Sequence, residues 1–116
     1  MTKRYYKPCK ELDRCNELID KYFLTKQYDK CFIGHLELAQ IGYPLAECQV
    51  GYFYLNGLGV EKDLDKAFYW TKKAAEHGDI DAMINLASFY KDGIGTQIDL
   101  DKATYWQNKA NNPKEQ

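Results

Sequence analysis

Apolar residues recur at intervals of three and four along the first forty residues, which is the spacing of an amphipathic helix. A first helix is predicted from about Cys9 to Leu24, and a second from Gln27 to Gln40. Gly42 is placed to end the second helix, because glycine adopts the left-handed conformation without a side-chain clash. The apolar positions of the first helix are Leu12, Cys15, Leu18, Ile19, Tyr22 and Phe23.

The rest of the chain continues this alternation of helix and turn signals. Pro44 suits the first turn of a helix, where its missing N–H would be unpaired in any case. Gly57 and Gly59 end that helix and turn the chain, and Asp63 can cap the next helix by accepting amide protons. Gly78 is placed as the following stop. The predicted helices cover about residues 45–56, 63–77, 81–92 and 99–111.

The chain also copies itself at a fixed distance of 36 residues. Matching pairs include Ala46 and Ala82, Phe53 and Phe89, Gly57 and Gly93, Gly59 and Gly95, Asp63 and Asp99, and Trp70 and Trp106. A fixed period of about 20–50 residues is typical of stacked repeats. The sequence therefore predicts an all-α fold, an α-solenoid (α/α superhelix) of about three antiparallel helix pairs. We expect a flexible N-terminal tail at residues 1–8 and a single repeat domain at residues 9–116, with units at about 10–45, 46–81 and 82–116.

The first and last units depart from the pattern of the middle unit. Unit one is a degenerate copy, with Lys21 and Phe23 where unit two has the loop glycines Gly57 and Gly59. The last helix of unit three ends in a polar sequence, which suits a face that no further unit covers. Atypical terminal units of this kind are expected to act as caps.

The charge and hydropathy of the chain exclude some classes of partner. The net charge is −1, so no overall basic field attracts nucleic acid. The charged N-terminus has no apolar run that resembles a signal peptide. No window approaches the ~20 apolar residues of a membrane-spanning helix. We therefore expect no nucleic-acid partner, no membrane insertion and a cytoplasmic location.

Units two and three share a specific set of small, aromatic and charged positions. Unit two contributes Ala46, Val50-Gly51, Phe53-Tyr54, Gly57, Gly59-Val60, Asp63, Lys66-Ala67, Trp70, Lys73-Ala74-Ala75 and Gly78. Unit three contributes Ala82, Leu86-Ala87, Phe89-Tyr90, Gly93, Gly95, Asp99, Lys102-Ala103, Trp106 and Lys109-Ala110. This motif resembles that of the Sel1-like repeat family, a relative of the tetratricopeptide repeat. The resemblance implies an α-solenoid whose first helices line a concave face, and a non-enzymatic adaptor role without cofactor, metal or catalytic residue.

The resemblance also bears on the four cysteines. A cysteine-rich branch of the family pairs a cysteine of one second helix with one of the next first helix. Cys48 occupies one of these positions but Ala39 occupies the other, so that disulfide is not expected. Cys15 and Cys31 fall at small-residue positions of the repeat, and we expect their side chains to be close. The sequence leaves open whether these two cysteines form a disulfide.

The candidate partner-binding residues are the variable positions of the first helices, which the repeat does not need for packing. Spacings of three and four place many of them on one face. Tyr52 is singled out because an exposed tyrosine offers contact area and a hydroxyl group, although it could instead merely pack at the groove edge. The candidates are Asn16, Cys48, Gln49, Tyr52, Asn56, Ile84, Asn85, Ser88 and Lys91, and Leu12 and Ile19 are further variable positions.

Two chemical motifs in the sequence suggest a different function. Ser88 and Lys91 spell S-x-x-K, the nucleophile motif of serine β-lactamases, but neither S-D-N nor K-T-G follows. Cys31 and His35 lie four residues apart on one helix face and could form half of a metal site. Cys9, Cys15 or Cys48 would then have to complete that site.

The sequence therefore predicts a protein–protein interaction module that binds a protein or peptide partner in its concave groove. We expect a monomer or weak self-association. A specific inhibitor or immunity-type partner of a toxin or effector is the alternative, because a small single-domain chain suits that role. A hydrolase or a metal-binding protein is the rival of a different class.

Overall fold

The computed structural model describes residues 6–112, and every regular element in this range is a helix. Consecutive helices pack against one another along the chain, which forms three stacked helix pairs and confirms the predicted α-solenoid. The helices are α1 (Lys10–Leu18), continued by a π-helical turn (Ile19–Phe23), α2 (Tyr28–Gln40), α3 (Pro44–Asn56), α4 (Leu64–Glu76), α5 (Ile80–Asp92) and α6 (Leu100–Asn111). No helix within residues 6–112 is long and apolar enough to cross a membrane.

The predicted caps and stops are largely confirmed. The Asp63 carboxylate accepts a hydrogen bond of 3.0 Å from the amide of Lys66. Gly57 ends α3 in the left-handed conformation at φ 65°. Both devices recur in unit three, at Asp99 and Gly93. The local residues therefore determine where these helices begin and end.

The second glycine of each loop also joins one unit to the next. A Cβ atom at Gly59 would overlap the backbone of Tyr28 at the start of α2. A Cβ atom at Gly95 would overlap the carbonyl oxygen of Leu64 at the start of α4. Each loop therefore packs on the first turn of the second helix of the preceding unit, at a distance that only glycine permits.

Two apolar clusters fill the junctions between the units. Phe53 is fully buried in the first cluster, which joins units one and two. Met83 and Leu86 are almost fully buried in the second cluster, which joins units two and three. Leu12 had been predicted as a variable position, but it is buried in the first cluster and packs in the core.

The outer face of α6 is polar where the same face of α4 is covered. Three positions of α4 are buried or half-buried, and their counterparts 36 residues later are exposed and polar. The pairs are Phe68 and Thr104, Thr71 and Gln107, and Ala75 and Asn111. This face of unit three is therefore compatible with water.

Two polar contacts that the repeat does not predict tie distant parts of the chain together. The hydroxyl of Tyr6 donates a hydrogen bond of 2.8 Å to Oδ2 of the buried Asp79, and the Tyr6 ring lies 5.5 Å from the Tyr43 ring. Oε1 of the fully buried Glu47 lies 2.6 Å from Nδ1 of His77. Tyr6 is thus packed, although it falls within the predicted tail, and residues 1–5 of that tail lie outside the described residues.

None of the four cysteines, all within residues 6–112, is joined in a disulfide. Cys15 and Cys31 are fully buried in the same cluster. The Cys31 thiol lies 3.6 Å from the Leu18 carbonyl oxygen, to which it donates. Burial raises the pKa of this thiol to about 11. Cys31 therefore behaves as a protonated core residue rather than as a reactive thiolate.

His35 is buried beside Cys31 and is expected to make folding sensitive to acid. Its Nδ1 lies 2.9 Å from the Cys31 carbonyl oxygen, while its buried Nε2 has no hydrogen-bond partner among the described residues. Burial lowers the pKa of His35, the hydrogen bond to Cys31 opposes this shift, and the positive charge of Arg14 adds to it. The folded chain therefore favours the neutral imidazole.

We expect the free energy of unfolding to fall as the pH drops below about 6.5, the pKa of an unfolded histidine. The stabilisation is fully present above that pH and is lost towards the lower pKa of the folded state, because the unfolded chain binds the proton more readily. Urea unfolding at several pH values should show a smaller loss for His35→Gln, which introduces the residue found at the same repeat position, Gln107. An identical pH profile for both proteins would contradict this role of His35.

Candidate partner-binding groove

A mainly apolar groove of about 390 Å³ runs across the three units. Its three sides come from the end of the first helix of unit one, the middle of α3 and the N-terminal half of α5. The lining residues are Ile19, Phe23 and Leu24 from unit one, Cys48, Gln49 and Tyr52 from unit two, and Asp81 and Asn85 from unit three.

The π-helical turn of unit one builds one wall of this groove. Where unit two breaks α3 at Gly57, unit one has no glycine and the helix continues through Phe23. The chain turns only at Lys26, which adopts a left-handed conformation at φ 61°. This extension places Phe23 and Leu24 on the groove, and the Leu24 side chain is 68% exposed.

Tyr52 lies at the groove with its ring held from one side. The ring centroids of Phe23 and Phe53 are 6.4 and 6.1 Å from that of Tyr52. Tyr52 nevertheless remains 42% exposed. Tyr52 therefore packs at the groove edge and keeps accessible surface there, and its role in partner binding stays a prediction.

The concave surface continues from the groove towards unit three. A second depression of about 350 Å³ shares Tyr52 and Asn85 with the groove and adds Asn56 and Ser88. The side-chain amide of Asn56 donates a hydrogen bond of 3.0 Å to the Tyr52 carbonyl oxygen. The structure thus brings together six of the nine candidate residues, namely Cys48, Gln49, Tyr52, Asn56, Asn85 and Ser88.

The remaining candidates lie apart from this surface or at its margin. Lys91, together with Ser88, lines a depression between α5 and α6. Ile84 is 43% exposed on α5. Asn16 lies half-buried on α1, and its buried Oδ1 has no hydrogen-bond partner among the described residues. Among the six residues that the concave surface brings together, Cys48 contributes little accessible area, since it is only 8% exposed.

The groove offers apolar contact with a few polar groups at its edge. Asp81 is the charged residue of the lining, and the side-chain amides of Gln49 and Asn85 can both donate and accept hydrogen bonds. A concave, mainly apolar surface with a few convergent polar groups is the usual form of a ligand site. This arrangement can bury an apolar side chain while its neighbouring backbone is hydrogen-bonded.

The residues of the two chemical motifs are not assembled into a reactive centre. Cys31 and His35 are enclosed in the core. Within residues 6–112 no three side chains of histidine, cysteine, aspartate or glutamate come together as a metal site would require. Ser88 and Lys91 are exposed on α5, one turn apart. The sequence-based metal hypothesis therefore has no ligand set among these residues.

The fold is that of a helical-repeat protein. The Sel1 repeat model matches residues 44–79 and 80–112, so the chain belongs to the Sel1 repeat family, whose members are generally protein–protein interaction modules.

The solved structures that are similar to this chain include the following two. One is a Sel1 repeat protein from Oxalobacter formigenes, with 28% identity, a TM-score of 0.73, and coverage of 74% of this chain and 25% of that one. The other is c5321, a protective antigen of uropathogenic Escherichia coli strains with an SLR fold. It has 26% identity, a TM-score of 0.78, and coverage of 87% of this chain and 22% of that one. The chain spans about a quarter of the length of these structures. No curated protein matched the chain.

Proposed function

We propose that the chain is a non-enzymatic adaptor that binds a peptide segment of a partner protein in the concave groove. The observation that carries this proposal is the apolar groove itself, which is lined at repeat positions that the stacking of units leaves available. The exposed Leu24 and the half-buried Phe23 strengthen it, because apolar surface that is accessible in a concave site gains free energy when a partner covers it.

Tyr52 is the proposed anchor of the interface. Tyrosine is enriched among the residues that dominate binding energy, and these residues cluster near the centre of an interface. Tyr52 belongs to both depressions of the concave surface, and its ring is held against Phe23 and Phe53. A side chain held in this way loses little conformational freedom when it is covered.

We expect Tyr52→Ala to weaken peptide binding by about tenfold or more, which corresponds to about 1.4 kcal/mol. A random peptide display library is selected on the immobilised wild-type protein, and the affinities of the recovered peptides are measured. Tyr105→Ala is the matched control, because Tyr105 is also an exposed tyrosine, at 55%, but lies on α6 outside the groove. Its affinities should equal those of the wild type.

Two results would contradict the proposal. Peptides that bind Tyr52→Ala as tightly as the wild type would move the site away from the groove. A selection that recovers no peptide from the wild-type protein would remove the support for a peptide-binding module.

A further inference from the structure

A separate depression, of about 490 Å³, lies at the junction of units two and three and shares no lining residue with the groove. Its walls come from α4, from the end of α5 and from the start of α6. The aromatic and basic residues of its lining are Phe68, Tyr69, Lys72, Lys73, Tyr90 and Lys102. We call it the basic pocket.

The junction of units one and two has the same frame, formed by an aromatic pair and a lysine. The two rings meet edge-on at both junctions, with centroids 5.3 and 5.5 Å apart and an interplanar angle of 84° in each case. The lysine Nζ lies 5.6 and 5.5 Å from the centroid of the tyrosine ring. The frame residues are Phe32, Tyr54 and Lys66 at the first junction and Phe68, Tyr90 and Lys102 at the second.

The two junctions differ in the side chains around this shared frame. Counting 36 residues back from Tyr69, Lys72 and Lys73 gives Ile33, Leu36 and Glu37. The first junction therefore has an apolar residue and a carboxylate, Leu36 and Glu37, at the positions where the second junction has two lysines. Because the frame has the same geometry in both, the stacking of the units does not require Lys72 or Lys73.

The lysines give the basic pocket a positive charge in a chain whose net charge is −1. Lys72 pairs with Glu76 at 3.0 Å, and Lys102 lies 3.9 Å from Asp99. The Lys73 ammonium lies over the rings of Tyr69 and Trp70, 5.5 and 5.2 Å from their centroids. The lining of the basic pocket therefore has three lysines and one carboxylate, Glu76.

We propose that the basic pocket binds an acidic peptide segment, in which aspartate or glutamate residues flank an aromatic or aliphatic side chain. The carboxylates would pair with the lysines, and the apolar side chain would lie on the ring of Tyr69, which is 53% exposed. A long polyanion such as nucleic acid is a poorer fit, because beyond the pocket it meets a chain of net negative charge.

The test is an amide chemical-shift titration with the acetylated and amidated peptide Glu-Glu-Phe-Glu-Glu. Shifts should saturate at residues of α4 and α6 around the basic pocket. Its uncharged analogue Gln-Gln-Phe-Gln-Gln should bind about tenfold more weakly. Raising the salt from about 50 to about 300 mM should weaken the acidic peptide severalfold, because surface charges are screened.

The decisive variant is Lys72→Leu with Lys73→Glu, which installs the residues of the first junction. The affinity for the acidic peptide should fall by about tenfold or more. Tyr69→Ile also installs a unit-one residue, retains all lysines, and should weaken binding by roughly threefold. The matched control Tyr105→Ile should bind as the wild type does, and Tyr52→Ala should leave this site unchanged.

Several results would overturn the proposal. They are equal affinity for the charged and uncharged peptides, unchanged affinity in the Lys72→Leu/Lys73→Glu variant, shifts that map to the concave groove, or no saturation at millimolar peptide. A short single-stranded oligonucleotide that binds the pocket more tightly than the peptide would show that the occupant is a nucleic acid. Thermal unfolding of each variant establishes that it is folded, and Tyr69→Ile keeps the test informative if the double variant is not.

Discussion

Replacing Gly95 by alanine is expected to lower the free energy of unfolding by about 3 kcal/mol. Gly95 has a left-handed φ of 67°, which costs a residue with a Cβ atom about 1 kcal/mol. The new Cβ would also overlap the Leu64 carbonyl oxygen and approach Phe68 Cβ to 2.8 Å. Because the Leu64 backbone and the Phe68 side chain occupy this position, unit three can accommodate the methyl group only by moving away from unit two.

Gly42→Ala is the matched control for this prediction. Gly42 also has a positive φ, at 89°, but no atom lies within 4 Å of the Cβ position. Urea unfolding should therefore show a loss of about 1 kcal/mol at Gly42, which measures the backbone conformation alone. Equal losses for Gly42→Ala and Gly95→Ala would show that the close packing of the loop on α4 contributes nothing.

Phe53→Ala is expected to lower the free energy of unfolding by about 4 kcal/mol. Phe53 is fully buried, and its ring lies 6.1 Å from those of Phe23 and Phe32 and 6.0 Å from that of His35. Its removal leaves a cavity between units one and two that these rings cannot fill without leaving their own positions. A loss of this size is a large part of the total stability of an ordinary domain.

Phe53 also supports the groove from beneath, since its ring packs against Phe23 and Tyr52. Phe53→Leu keeps most of the apolar volume and should cost about 1.5 kcal/mol or less. Thermal and urea unfolding of the two variants measure the difference. A loss below about 1.5 kcal/mol for Phe53→Ala would mean that the first cluster does not hold units one and two together.

The sequence predicted the helices well because their signals are local. The loop glycines, the capping aspartates and the apolar spacing act over a few residues, and two copies of the same signals reinforce each other. Asp63 and Asp99, for example, make the same capping contact at 3.0 and 3.1 Å. The sequence could therefore predict the fold, although unit one matches the motif only weakly.

The contacts that the sequence could not predict join distant residues and occur once. Asp79 binds Tyr6, while the residue 36 positions earlier is Tyr43. Glu47 contacts His77, while its counterpart in unit three is Met83. A contact of this kind leaves no periodic signal, so only the three-dimensional structure shows it.

The candidate site was predicted only in part, because only some of its residues lie at the variable repeat positions of a first helix. Tyr52 and Asn85 were found because variable positions on a first helix face the concave side when the helices stack. Phe23 and Leu24 were missed as site residues, although the first helix was predicted to reach Leu24, because they stand where unit two has its loop and not at variable positions of a first helix. The available signal was the absence of the loop glycines from unit one, because without them the first helix continues past the point where α3 ends.

The most direct test of the account is hydrogen exchange of the chain with and without a peptide selected on the wild-type protein. Groove binding predicts slower amide exchange in residues 19–24, 48–52 and 81–85, because these segments line the groove. The outer helix α6 should exchange at its original rate. Protection confined to α4 and α6, with residues 48–52 unchanged, would contradict the claim that the concave groove is the binding site.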